Sequence, residues 1–277
     1  MITFPNCKIN LGLHIANKRD DGFHNIESVF YPIPKHDVLE VLPLSQSKNS
    51  TKITFQTHGI PVSGNWEQNL IVRAYRLLDS LFDLPPVTAC LYKALPMGAG
   101  LGGGSSDAAH MLLLLNDMFE LNQTNEQLVA YASQLGSDCS FFISNKPAYL
   151  FGKGHELQLI DFSLTGYTLV LLAPPYHSNT ALSYKYSISR NTDEPTLMNI
   201  LSNPIHKWKS TLVNDFEQSV FVQFPELLQL KNKLYEAGAV YASMSGSGSC
   251  IFGLFNSSIK ALPNELAKHV IFNSVLP

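Results

Sequence analysis

Apolar and polar residues alternate with period two near the start of the chain, where Ile9, Leu11, Leu13 and Ile15 interleave with Lys8, Asn10, Gly12 and His14. That pattern predicts a β-strand with one buried face. Residues 38–44 and 52–57 are two further predicted strands, joined by the polar turn 45–50. Residues 70–82 predict a helix, and residues 87–95 predict a strand that runs straight into a glycine-rich segment. Beyond it, Ala108, Ala109, Met111, Leu112, Leu115, Met118 and Phe119 have the spacing of one apolar helix face. The next helix is predicted from Thr124, with Gln127 at capping-box distance. It should end near Gly136, a residue suited to the left-handed backbone that closes many helices.

After a short strand at 148–151 and a turn at Gly152-Lys153-Gly154, residues 167–173 form a nearly continuous apolar run ending at Pro174-Pro175. Residues 183–209 are polar and poorly patterned, and predict irregular helices and loops. Asn214 and Glu217 again have capping-box spacing. A helix is predicted over 225–237, stopped by Gly238, and strands over 239–244 and 250–255 flank a second glycine turn. No internal repeat or low-complexity stretch is visible. Helices alternating with strands that include antiparallel hairpins predict an α+β fold, not a doubly wound sheet. The pattern changes near residue 155, which suggests domains at 1–155 and 156–277.

Composition narrows the function class. Over 277 residues, 45% hydrophobic content with 15% charged residues describes a globular chain with a substantial core. The formal charge is −3 and no basic run exceeds two residues, which argues against a nucleic-acid surface. Any phosphorylated ligand must then be met by local amides and a few cations. Cys7, Cys90, Cys139 and Cys250 are widely spaced and form no CxxC pair, which argues against zinc and suits a reducing, cytoplasmic setting. The first residues lack the charged and apolar pattern of a secretory signal, and no apolar run approaches the ~18 residues that would span a bilayer.

The candidate chemistry lies in Pro96-Met97-Gly98-Ala99-Gly100-Leu101-Gly102-Gly103-Gly104-Ser105-Ser106-Asp107-Ala108-Ala109, with five glycines in seven positions. Missing side chains let consecutive amides crowd against a ligand. A helix opening immediately afterwards would aim its unpaired N–H groups and its positive dipole end at a phosphate. A flexible linker has a similar composition but would not open onto an apolar helix face. Walker A chemistry is excluded, because no lysine lies between Lys93 and Lys146. The dinucleotide fingerprint lacks its following strand and acidic residue. The His-Arg-Asp and Asp-Phe-Gly sequences of protein kinases are absent.

This run resembles the phosphate loop of the GHMP kinases, the small-molecule kinases that include galactokinase, homoserine kinase and mevalonate kinase. Four further regions resemble one branch of that family: Cys7-Lys8-Ile9-Asn10-Leu11-Gly12-Leu13 with Asp21-Gly22-Phe23-His24; Asn69-Leu70-Ile71-Val72-Arg73-Ala74; Leu135-Gly136-Ser137-Asp138-Cys139; and Ser245-Gly246-Ser247-Gly248-Ser249-Cys250. That branch phosphorylates a cytidine diphosphate ester of methylerythritol in the non-mevalonate isoprenoid pathway. The resemblance spans residues 8–252. It implies a two-domain GHMP kinase fold with the active site in the interdomain cleft, ATP and Mg2+ as cofactors, and a small-molecule acceptor phosphorylated at its 2-hydroxyl. It also suggests a monomer or weak homodimer.

The resemblance further implies roles for single residues. Lys8 would lie beside the reacting hydroxyl and the γ-phosphate, with Asn10 orienting the substrate; alternation alone reads both as the solvent face of a strand. Asp138 would be the catalytic base, although an aspartate after a helix-ending glycine is ordinarily a turn or N-cap residue. Phe23, His24 and Tyr184 would hold the cytosine, with Thr180 nearby, though each aromatic could equally be a packing residue. Phe23 departs from the family's usual tyrosine. Asn69, Leu70 and Lys93 would line the adenine side of the ATP pocket, and Ser106 is the protein ligand suggested for Mg2+. Ser245, Gly246, Ser247 and Gly248 would face the substrate's phosphates; without the resemblance they are a hairpin turn. Two competing functions are a GHMP kinase acting on homoserine or a mevalonate derivative, and a non-catalytic nucleotide-binding protein. The Asp21–His24 segment with Lys8 and Asn10 argues against the first, and retention of both Lys8 and Asp138 against the second.

Overall fold

The computed structural model describes residues 1–18, 24–44, 52–152, 154, 156–178, 196–257, 259 and 261–277. The chain forms two compact units. The first takes Met1–Cys7, Pro34–Met97 and Gly102–Lys146; the second takes Lys8–Ile33, Gly98–Leu101 and Pro147–Pro277. The units therefore interleave along the sequence, whereas the hydrophobic pattern suggests a single cut near residue 155. Among the described residues no helix is long and apolar enough to cross a membrane.

In the first unit, β1 (Ile2–Thr3), β4 (Val38–Pro43), β5 (Ile53–Gly59) and β6 (Val87–Lys93) form a sheet in the order β1-β4-β6-β5. Strands β4 and β6 are antiparallel, but β5 and β6 are parallel, because helix α1 (Leu70–Phe82) crosses over between them. Leu39, Val41, Ala89 and Leu91 are buried on the sheet's inner face. Helix α1 packs on α2 (Gly103–Met118), whose Ala108, Ala109, Met111, Leu112 and Leu115 are wholly buried, as the apolar spacing predicts. Helices α3 (Asn125–Leu135) and α4 (Cys139–Ser144) complete the unit. Thr124 and Gln127 form the expected capping box. Gly136 does end α3, but with φ 176°, which is extended backbone and not the left-handed conformation expected there.

The second unit contains two antiparallel arrangements. One sheet has the order β10-β11-β9-β12, from β9 (Thr168–Leu172), β10 (Tyr241–Met244), β11 (Ile251–Phe255) and β12 (Val270–Val275). A helix over Pro225–Glu236 buries Leu227, Leu230 and Leu234 against it. The other has the order β2-β3-β7-β8, from β2 (Asn6–Lys18), β3 (His24–His36), β7 (Ala148–Phe151) and β8 (Glu156–Leu159). Strand β3 escapes the sequence reading because Pro32 and Pro34 punctuate it, and proline normally demotes a strand assignment.

Two sequence expectations change here. Strand β2 is buried on both faces: Lys8, Asn10 and His14 are 3%, 1% and 3% exposed, so the polar alternates do not form a solvent face. The capping box expected from Asn214 and Glu217 does not form. A helix over Phe216–Gln223 begins there with Asp215 at the cap position, and the Glu217 carboxylate instead accepts from the Met244 amide at 2.8 Å.

Candidate active site

Two adjoining hollows of about 330 and 220 Å3 open in the first unit and share Val62, Ser63, Gln68 and Asn69 on their walls. The smaller also reaches Leu70, Lys93, Met97, Gly104 and Asp107. Three residues expected on the adenine side, Asn69, Leu70 and Lys93, therefore line one cavity with the start of α2. Asn69 also caps α1, its Oδ1 accepting from the Ile71 amide at 2.9 Å. A cap uses the carbonyl end of the side chain, which leaves the amide end available to a ligand.

Lys93 belongs to a buried triad absent from the sequence reading. Its ammonium donates to Asp37 Oδ2 at 2.5 Å and to Asp107 Oδ2 at 2.7 Å. Asp37 Oδ1 accepts from the Ala94 and Leu95 amides at 2.6 and 2.8 Å, which fastens the chain just before Pro96. Asp37 lies 56 residues from Lys93 in sequence, so no local pattern could announce it. Burial penalises the Lys93 ammonium, yet Asp107 and Asp37 outweigh it and raise the pKa. Burial also pushes Asp107 up to about 7, against the pull of Lys93 and with added push from Asp37. One ammonium facing two carboxyl groups favours retaining a proton on the pair.

This arrangement predicts a pH dependence. Asp107 has a folded pKa of about 7, above the unfolded value of about 3.9, so the folded state binds the extra proton. Its contribution is fully present below pH ~4 and is lost as pH rises towards 7. Asp107→Asn, which mimics the neutral acid, should approach the wild-type unfolding free energy, read from urea melts, as pH falls to about 4. It should exceed it at pH 8, by an amount on the order of a few kcal/mol. A wild-type advantage at pH 8 would contradict the assignment.

The glycine run is turned by positive φ at Gly98, Gly100 and Gly102, and α2 begins at Gly103. No side chain caps that helix, so its first amides are not used for capping by their neighbours. Gly104 is exposed and Ser105 half-buried, whereas Ser106 is wholly buried with its Oγ 3.4 Å from His110 Nδ1. Ser105 is thus the more accessible hydroxyl, although Ser106 is the one the resemblance suggests for Mg2+. Among the described residues no cluster of three His, Cys, Asp or Glu side chains stands ready for a metal.

Asp138 occupies the cap position of α4, but its side chain makes no capping hydrogen bond, and Ser137 Oγ donates to its Oδ1 at 3.3 Å. The next residue, Cys139, is buried, and that burial pushes its thiol up to about 11, beyond reactive range at neutral pH.

In the second unit, β2, Gly98–Leu101 and the second glycine turn meet closely. The Lys8 amide donates to Leu101 O at 3.0 Å, and its ammonium donates to Asn10 Oδ1 at 2.5 Å and Gly100 O at 3.1 Å. The Phe30 ring lies 4.4 Å from that ammonium. Asn10 Nδ2 donates to Ser28 Oγ at 2.8 Å, and the Asn10 amide donates to Ser245 Oγ at 3.2 Å. Ser245 Oγ in turn donates to Gly100 O at 2.8 Å. Five of the expected site residues are thereby brought together: Lys8, Asn10, Gly100, Leu101 and Ser245. Ser247 is half-buried in the same turn, while Gly246 and Gly248 are buried. Phe23, Thr180 and Tyr184 lie outside the described residues, as does the side chain of His24, whose backbone opens β3.

Residues 69–152 match the family described as "GHMP kinases N terminal domain", and residues 197–271 match "GHMP kinases C terminal". A protein of Bacteroides fragilis named 4-diphosphocytidyl-2-C-methyl-D-erythritol kinase is 50% identical over 276 residues, covering 100% of both chains. This chain belongs to the GHMP kinases. A Porphyromonas gingivalis relative of the same name is 46% identical over 100% of both chains. The solved structure of a 4-(cytidine 5'-diphospho)-2C-methyl-D-erythritol kinase superposes with a TM-score of 0.78 at 31% identity, covering 93% of this chain and 91% of that one. Methanococcus jannaschii mevalonate kinase, at 10% identity and a TM-score of 0.69, shares the GHMP kinase fold. The mixed helices and sheets agree with the α+β class expected from sequence.

Proposed function

We propose that this chain transfers the γ-phosphoryl group of ATP to the 2-hydroxyl of 4-diphosphocytidyl-2-C-methyl-D-erythritol, giving the 2-phosphate and ADP. The observation that carries the reading is the 50% identity, over the whole chain, with a relative of that name. Its chemistry fits the residues present. Phosphoryl transfer to an alcohol requires held phosphates, charge neutralisation and a proton acceptor. The uncapped start of α2 supplies oriented amides for the phosphates. Asp138 accepts the hydroxyl proton as the alcohol oxygen attacks phosphorus and the bond to ADP breaks. Lys8 offsets the negative charge that develops on the transferred group.

The adenine occupies the hollow walled by Asn69, Leu70 and Lys93. Mg2+ suits this donor set, because it keeps several waters and takes most other ligands from substrate phosphates, so one hydroxyl from Ser105 or Ser106 suffices. When bound, it neutralises phosphate charge. Ser245–Gly248 face the acceptor's diphosphate, and Phe23, His24 and Tyr184 hold its cytosine.

An ADP-release assay with the cytidine diphosphate ester, homoserine and mevalonate tests the reading, with 31P NMR identifying the product. Turnover of the cytidine ester with a new phosphomonoester resonance is expected. Turnover of homoserine or mevalonate alone would assign a different acceptor, and ATP binding without any product would assign a non-catalytic role.

A further inference from the structure

The segment Asn214-Asp215-Phe216-Glu217 has capping-box spacing but caps nothing in that way; its three polar side chains are instead buried and turned towards the second glycine turn and β2. Asn214, 1% exposed, uses Nδ2 to donate to both Met244 O and Gly246 O at 2.8 Å, while its Oδ1 accepts from the Phe216 amide at 3.1 Å. Those two carbonyls sit two residues apart at the entry to the turn Ser245–Gly248. Asp215 Oδ2 accepts from the Ile15 amide at 2.8 Å, and the Leu13 amide and carbonyl pair with Val213 and Asp215. Glu217 Oε1 takes the Met244 amide at 2.8 Å and its Oε2 takes Lys231 at 2.6 Å. One short segment therefore fixes both the strand that carries Lys8 and Asn10 and the turn that carries Ser245.

We infer that Asn214 is a positioning residue for the acceptor: it sets the orientation of Ser245–Gly248, and hence the grip on the acceptor's diphosphate, without touching substrate. The side-chain requirement is specific. Two N–H donors must meet two carbonyls while an oxygen accepts an amide, and asparagine is the shortest side chain that offers all three. Aspartate has the same shape but would present oxygen to both carbonyls. The inference rests on the reading of Ser245–Gly248 as the acceptor-phosphate turn.

The test compares Asn214→Asp and Asn214→Ser with wild type by steady-state kinetics, ADP titration and amide hydrogen exchange. In Asn214→Asp, kcat/KM for the cytidine diphosphate ester should fall about 100-fold, the scale of a small misplacement of a reacting group. Asn214→Ser, which keeps one donor, should lose less. ADP affinity should stay within about twofold, a split that general destabilisation would not produce. Exchange at the Gly246–Ser249 amides should accelerate while that in β9 and β12 of the same unit does not. Unchanged kcat/KM and exchange in folded variants would overturn the inference. So would uniform acceleration across the unit, or failure of both variants to fold, since either makes Asn214 a stability residue. If wild type does not turn over the cytidine ester, the functional reading falls, while the exchange data still decide whether Asn214 holds the turn.

Discussion

Asp138→Asn is expected to lower kcat by about 10²–10⁴-fold, the usual contribution of a general base, with KM for ATP and the thermal midpoint near wild type. The amide keeps the shape of the side chain and loses its capacity to accept a proton at neutral pH. Folding should tolerate the change because the Asp138 side chain does not cap α4. The mutation therefore separates chemistry from structure better than one at Lys8, whose ammonium is buried and hydrogen-bonded to Asn10 and Gly100. Steady-state kinetics with the cytidine ester, alongside a melting curve, give the answer. Retention of more than about a tenth of wild-type kcat would remove Asp138 from the base role.

Gly100→Ala should cost both stability and activity. A Cβ at that position would stand 1.9 Å from Ser245 O and 2.8 Å from Ser245 C, and φ of +78° already disfavours any side chain. The obstacle is backbone on both sides, so no rotamer change relieves it. The left-handed conformation and the overpacking together should destabilise by about 2–4 kcal/mol. Displacing Gly100 also moves the carbonyl that accepts from Lys8 and Ser245, so activity should fall by about 100-fold or more, on the scale of a small misplacement at the reacting centre. Gly104→Ala is the contrast. It lies in helix α2 with its nearest neighbour, Leu70 Cδ1, at 4.0 Å, so alanine should leave stability unchanged or raise it by up to ~1 kcal/mol. Equal melting temperatures for the two variants would show that the close approach at Gly100 is not structurally important.

Much of this was legible in the chain because it is local. Helix α1 occupies the predicted range, and the Thr124 capping box forms as read, since both depend on neighbours within a few residues. Failures arose where distant partners decide. Asn214 and Glu217 have local capping spacing, but Met244 and Gly246, some 30 residues on, claim their side chains. Lys8 and Asn10 alternate as a solvent face would, yet Ser28, Gly100 and Ser245 bury them in hydrogen bonds. The motif resemblance flagged Lys8, Asn10 and the glycines from their types and spacing. Asp37, standing alone between two strands, had no such context.

The interleaving of the compact units also bears on how the chain matures during synthesis. All segments of the first unit have been made once residue 146 emerges, so it can close while translation continues. Strand β2, made among the first, must wait for partners as late as Asn214, Asp215 and Ser245.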